Sequence, residues 1–221
     1  MFQVVGLARR KEKVNELAKK LEGKSGKLYS IETDISKEED ILSAFQWVKD
    51  NLGSIHILIN NAGIGKNLKF TDTDAETCRK ILDTNLWGLS NATREALKNM
   101  QENNIDGHII NISSTLGYKV SAPNLNMYPA TKFALRGLQE TLKVELASMG
   151  SKVKITTVSP GIVDTDIWEV GGFISTKESE EHLKQQPKLQ AQDVADTVIF
   201  ALSTPPHVQI AEVIVQPVGE I

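Results

Sequence analysis

The sequence predicts an α/β fold: a doubly wound parallel sheet with helices on both faces. Three observations predict it. Apolar runs of strand length alternate along the whole chain with amphipathic segments of helix length. No repeat, low-complexity tract or linker interrupts the alternation. The residues able to do chemistry fall just after the strands, where crossovers of this kind leave a crevice for ligands.

Each element has a local reason. "FQVVGLA" (2–8) is short and β-branched, a strand. "KEKVNELAKKLEG" sets Val14, Leu17, Ala18 and Leu21 on one helical face and stops at Gly23. "KLYSIE" is a second strand. Ser36 and Glu39 form an S-x-x-E capping signature before the helix "DILSAFQWVKDNLG". "IHILINNAG" is a strand running into a glycine turn. "DAETCRKILDTNLWGLSNATREALKNMQENN" is a long helix or a bent pair. "GHIINISS" is a strand ending at Ser114, and "MYPATKFALRGLQETLKVELASMG" is a helix of about six turns. "KVKITTVSP" is a strand broken at Pro160-Gly161. A polar, glycine-containing stretch (162–190) follows, then the helix "AQDVADTVIFALS" and a last strand, "EVIVQPV".

With 221 residues, 40% hydrophobic and 24% charged, the chain has apolar material for one core and reads as one domain, 1–221. A net charge of −3 gives no reason to expect nucleic acid or an anionic membrane as a partner. The one cysteine, Cys78, excludes an internal disulfide and suggests a reducing compartment. No apolar run reaches the roughly 18 residues of a membrane span, and the N-terminus lacks a signal-peptide layout. A cytoplasmic location is expected. His56, His108, His182 and His207 show no ligand spacing, so no metal is expected.

Four residues carry the expected chemistry. Tyr128 and Lys132 in "MYPATK" are four apart near a helix start and share a face. A phenol near pKa 10 needs about 4 kcal/mol of differential stabilisation to drop about 3 units, and a nearby ammonium favours that shift. A tyrosine so tuned can pass a proton to or from an alcohol oxygen. Ser114 is placed to reach the same oxygen. Asn85, in "LDTNLWG", is a poor helix former in an apolar helical stretch; it bends the helix or holds a water. Asp34 in "TDIS" can accept a hydrogen bond from an adenine amino group. The glycine of "INNAG" lets the backbone approach a flat ligand. "SPGIVDT" (159–165) can offer backbone groups and the Thr165 hydroxyl to a carboxamide.

These motifs, "TDIS", "NNAG", "DTNLWG", "INISS", "YPATK" and "SPGIVDT", stand in the order and spacing of the short-chain dehydrogenase/reductase family, single-domain type, and the chain resembles it from residue 3 to about 218. The resemblance implies a Rossmann-like three-layer α/β/α fold. It implies Tyr128 as general acid/base, Lys132 lowering the tyrosine pKa and holding the nicotinamide ribose, Ser114 orienting the substrate oxygen, and Asn85 anchoring a water of the proton relay. Asp34 and Ile35 would meet the adenine; Asn61, Ala62 and Gly63 would flank its ribose. Pro160, Gly161, Ile162, Val163 and Thr165 would meet the carboxamide. In this family the end of the second strand sorts cofactors: a carboxylate there repels a 2′-phosphate. Here Ala8 is followed by Arg9 and Arg10, and a guanidinium pairs a phosphate bidentately, so NADP(H) is expected over NAD(H). The lid residues Ile167, Trp168, Val170 and Phe173 form an apolar wall and imply a small apolar alcohol, aldehyde or ketone. The details "VVGLARR", "INISSTLGY" and "VQPVG" look most like insect members related to farnesol dehydrogenases, implying an isoprenoid, retinoid or steroid alcohol. The helices 75–103 and 127–149 are where the family pairs into homodimers or homotetramers.

One family feature is missing. No T-G-x-x-x-G-x-G turn, which would cradle the pyrophosphate at a helix N-terminus, occurs in the sequence. The expectation is that the first βα unit, about 30 residues, belongs before Phe2 and that Met1 is an internal methionine or alternative start of a longer parent. The absent strand would lie between 2–8 and 56–60. The chain is then expected to fold poorly or to pair those two strands directly, and to bind NADPH weakly. Two competing readings are a non-catalytic isoform acting only through association, and an extended-type sugar epimerase or dehydratase. The latter also uses Tyr-x-x-x-Lys but carries a larger C-terminal domain.

Overall fold

The computed structural model describes residues 2–220, without the side chain of His182. Met1, and that histidine among the four considered for a metal, lie outside the described residues. The elements run β1 (Gln3–Ala8), α1 (Lys11–Lys20), β2 (Lys27–Glu32), α2 (Glu38–Asn51), β3 (Ile57–Asn60), α3 (Ala75–Leu82), α4 (Leu89–Glu102), β4 (His108–Ile112), α5 (Tyr128–Ser148) and β5 (Lys154–Pro160). Then follow β6 (Val163–Asp164), α6 (Ile167–Val170), α7 (Lys177–Gln185), β7 (Leu189–Gln190), α8 (Ala191–Leu202) and β8 (Glu212–Val215).

Every ladder between these strands is parallel. β3, β4, β5 and β8 form a sheet in the order β3-β4-β5-β8. β1 and β2 form a separate pair, in register from Gln3 with Lys27 to Ala8 with Glu32. The direct pairing expected between 2–8 and 56–60 is not made: among the described residues no ladder joins β1 to β3. The link between the two sheets runs through the helical layer instead. α2 packs against α4, and Gly88 lies so close to the Ile35 carbonyl that any Cβ there would collide with it. Side-chain packing can join two sheets at a distance that ladder hydrogen bonds, at roughly 4.8 Å between strands, cannot span.

The core explains why β4 is buried on both of its faces. Successive strand residues point to opposite faces. Ile109 therefore packs with Ala96 and Met100 of α4, Leu146 of α5 and Ile155 of β5, while Ile110 packs with Val158, Val198 and Ala201 on the other face. A strand covered on both sides must pair any polar side chain it carries within the protein, as His108 does with Thr156 and Asn111 with Asn60. Each such isoleucine contributes about 1.5–3 kcal/mol by leaving water.

Two local expectations change. The helix ahead of residue 103 is neither one rod nor a simple bent pair. α3, capped by the Asp74 carboxylate accepting from the Thr77 amide at 2.6 Å, passes through a π-helical turn, Asp83–Gly88, into α4. Ser36 does not cap α2. Its amide and hydroxyl both donate to Asp34 Oδ1, at 3.0 and 2.7 Å, so the serine closes a turn on the aspartate and α2 starts two residues later at Glu38 without a side-chain cap. The stretch 162–190 is more ordered than its composition suggests, with β6 and β7 paired in parallel and Thr176 capping α7. No helix among the described residues is long and apolar enough to cross a membrane.

His108 is a buried structural group. The Thr156 hydroxyl gives its proton to the Ile210 carbonyl at 2.6 Å, so it accepts from His108 Nε2 at 2.8 Å, which fixes that tautomer. Burial, helped by the Lys154 charge, pulls the imidazole down to about 4. The unfolded chain, near 6.5, then binds the extra proton first as pH falls. Stability from this neutral histidine is fully present above about pH 6.5 and is lost progressively towards pH 4. Urea unfolding midpoints should fall across that window, and His108→Gln should flatten the fall.

Candidate active site

Tyr128 is the first residue of α5 and Lys132 lies one turn on, so the ammonium comes to rest over the tyrosine ring, 5.5 Å from its centroid. Lys132 is only 4% exposed. Its Nζ donates to the carbonyl of Ile112, the last residue of β4, at 3.0 Å. An ammonium has three donors, and this is its one protein hydrogen bond among the described residues. Loss of water drives its pKa down to about 8.

Ser114 sits two residues beyond the end of β4, not at its last position. It caps the short 3-10 turn Thr115–Gly117, its Oγ accepting from the Leu116 amide at 3.2 Å. From there it reaches Tyr128. Burial raises the phenol pKa, the Ser114 hydroxyl opposes the rise, and the net shift is upward. The group that favours the phenolate is the Ser114 hydroxyl, but burial outweighs it and Tyr128 is protonated at neutral pH.

Asn85 is fully buried in the π-helical turn. Its Oδ1 accepts from the Ile64 amide at 2.8 Å, and Nδ2 donates to the Ile64 carbonyl at 2.9 Å and to Thr131 Oγ1 at 3.3 Å. Both amide protons are thus spent on protein and none is left to hold a water. The side chain instead clamps the loop after β3 to α5, because Thr131 in turn donates to the Tyr128 carbonyl at 2.7 Å. Asn61, Ala62 and Gly63 are exposed on that loop. A Cβ on Gly63 would lie 3.8 Å from both Asn85 Oδ1 and Lys132 Nζ, which places this backbone beside the buried ammonium.

The outer candidates are less unified. Asp34 has its carboxyl held below the usual range; partial burial opposes ionisation, and the Ser36 bonds together with the nearby Arg9 and Lys37 charges outweigh it. Ile35 lies against Gly88, next to the turn that holds Asn85. Arg10 does not stand alone: Arg10 at 3.8 Å and Lys13 at 3.0 Å both meet Asp166 Oδ2, just ahead of α6. Pro160 ends β5 opposite Val215, and Gly161 donates to the Val215 carbonyl at 2.8 Å. The Ile162 amide donates to Glu220, its carbonyl accepts from Leu189 at 2.8 Å, and the Val163 carbonyl accepts from Trp168 Nε1 at 2.6 Å. Much of the backbone expected to be free for a carboxamide is engaged within the protein; Thr165 is exposed.

The apolar wall is real at one point. Phe173 stands edge-on to Trp168, with ring centroids 5.4 Å apart. Its ring and that of Tyr128 both come within 3.5 Å of where a Cβ on Gly65 would be. An apolar surface therefore borders the phenol.

Several contributors went unread in the sequence. Thr131 sits inside "YPATK" and bonds two of the singled-out residues. Asn60 Nδ2 donates to Asn111 Oδ1 and to Thr93 Oγ1, each at 2.9 Å, in a buried network under the loop of residues 61–64. The matching asparagines ending "ILIN" and "IIN" hint at it, since they face each other in the β3–β4 register.

Comparison with known proteins shows the family and the fold. The family model described as short chain dehydrogenase matches residues 2–171. A farnesol dehydrogenase of Aedes aegypti is 40% identical over 220 residues, covering 98% of this chain and 86% of the relative. Dehydrogenase/reductase SDR family member 11 of Bos taurus is 38% identical over 230 residues, covering 100% of this chain and 88% of that one. Among solved structures, the closed form of serine dehydrogenase complexed with NADP+ superposes with a TM-score of 0.88 at 30% identity, covering 99% of this chain and 86% of that one.

Proposed function

Because the chain belongs to the short-chain dehydrogenase family, we propose that it interconverts an apolar alcohol and its carbonyl compound with NADP(H), using Tyr128 as the general acid and base. The observation that carries this reading is the cluster that α5 and the end of β4 bring together: a half-buried Tyr128 beside the Ser114 hydroxyl, and a buried Lys132 ammonium with donors to spare. Those donors suit ribose hydroxyls, and the close backbone at Gly63 leaves room for a flat group beside them. Ala8 places no carboxylate beside Arg9 and Arg10, which suits a 2′-phosphate.

A bound nicotinamide supplies the hydride in reduction and takes it up in oxidation. Tyr128, kept protonated by burial, gives its proton to the carbonyl oxygen. Ser114 donates to the same oxygen and then to the phenolate that remains. Lys132 balances that phenolate by its charge, and Phe173 with Trp168 keeps the substrate side apolar. The Aedes relative favours an isoprenoid alcohol such as farnesol as the first substrate to try.

The pH dependence has a definite sign. kcat/KM reports the free enzyme, where Lys132 loses its proton near pH 8. Carbonyl reduction should fall as pH rises through about 8, and Lys132→Arg should move that limb upward. NADP+ should outperform NAD+ with farnesol; equal or better rates with NAD+ would remove the role given to Arg9 and Arg10. Absence of turnover with farnesol at saturating cofactor would overturn this reading.

A further inference from the structure

We infer that Glu220 is a positioning residue for the turn Pro160–Val163, and through it for the cofactor-facing wall; the second half of this inference rests on the reading above. After β8 the chain turns back at Gly219, whose φ of +92° closes a bend completed by the Glu220 amide donating to the Pro217 carbonyl at 3.2 Å. The Glu220 side chain then lies across the end of β5. Its Oε2 accepts from the Ile162 amide at 3.0 Å, 58 residues away in sequence. The carboxylate sits so flat on Gly161 that a Cβ at that position would collide with both its oxygens. Gly161 is not held there by its own backbone angle, since its φ is not positive; the neighbour demands it.

Ile162 is thus pinned on both sides: its amide by Glu220, its carbonyl by the Leu189 amide where β7 meets β6. The next carbonyl, of Val163, is held by Trp168. Removing the Glu220 acceptor frees the Ile162 amide and leaves the Gly161 bond to the Val215 carbonyl as the turn's remaining tie to the C-terminal segment. The turn and the lid strands then lose their fixed position, while Tyr128, Ser114 and Lys132, carried by α5 and the end of β4, keep theirs. The cost falls on cofactor binding rather than on the chemical step.

Three measurements test this. Glu220→Ala should raise the KM for NADP+ about tenfold, the scale of one hydrogen bond to a charged group, with kcat within about twofold of wild type. Glu220→Gln, which keeps an acceptor oxygen, should restore most of it. In the cofactor-free protein, hydrogen exchange at the Ile162 amide should accelerate in Glu220→Ala and stay slow in Glu220→Gln. Gly161→Ala should destabilise the wild type and cost clearly less in the Glu220→Ala background, a coupling between touching residues. An unchanged NADP+ KM in Glu220→Ala, an Ile162 amide still protected there, or strictly additive effects of the two substitutions would overturn the inference. Exchange and stability are read without turnover, so they stand or fall separately from the assignment of the reaction.

Discussion

Tyr128→Phe is expected to lower kcat by about 10²- to 10⁴-fold, the range removed with a positioned proton donor, while the protein stays folded. The ring is retained, so its contacts beside Gly65 and Phe173 and its place under the Lys132 ammonium are unchanged. Only the hydroxyl goes, and with it the group that must deliver or collect the proton at the substrate oxygen. The Ser114 hydroxyl stays, and its other bond, accepting from Leu116, still orders the turn. Far-ultraviolet circular dichroism and the unfolding midpoint should match wild type. A variant that kept wild-type kcat would show that the proton travels by another route. Loss of the fold together with activity would show that the phenol is structural.

Lys132→Met is the second large effect, and its two consequences run in opposite directions. Activity should fall at least 10²-fold, because the buried positive charge beside the phenol is gone. The cofactor-free protein, however, should become more stable. The ammonium is 4% exposed, and burial takes its pKa from 10.5 to about 8. Below pH 8 the group is charged in both the folded and the unfolded chain, and the fold bears the full cost of burying it. As pH rises from 8 towards 10.5 the folded chain sheds the proton first, and the cost fades. A shift of that size corresponds to roughly 3 kcal/mol. The lost bond to the Ile112 carbonyl offsets part of it, so a gain of a few degrees in Tm at pH 7 is expected for a chain of this size. Differential scanning calorimetry at pH 7 and pH 10 should show the advantage of the methionine variant shrinking at the higher pH. A lysine placed at a cost to folding is what a ligand site requires and a purely structural site does not.

Local pattern carried most of the architecture. The strand at 27–32 and the helices around 11–20 and 191–202 are visible because apolar periodicity and stop residues decide them over short distances. Tyr128 and Lys132 are visible for the same reason: a spacing of four inside one helix fixes their relation. What was hidden depends on residues far apart in the chain. Nothing in "DTNLWG" shows that Asn85 spends its amide on Ile64, or that Asp166 meets Lys13 across 153 positions. The Ser36 signature misled because Ser36 closes a turn on Asp34 through its amide and hydroxyl, and α2 starts beyond it at Glu38. The expected strand pairing failed on a similar ground. Apolar edges at β1 and β3 invite a ladder, but the distance between them is set by α2, α4 and the Gly88–Ile35 contact, which local sequence does not report.

The most direct test follows the hydride itself. The chain would be incubated with farnesol carrying deuterium at the oxidisable carbon and with excess NADP+, and the reduced cofactor examined by mass spectrometry. Transfer at the Tyr128 site places one deuterium in each NADPH formed, and the Tyr128→Phe control should form deuterated NADPH about 10²- to 10⁴-fold more slowly. NADPH formed without deuterium, or deuterated NADPH formed equally by the control, would contradict hydride transfer supported by this tyrosine.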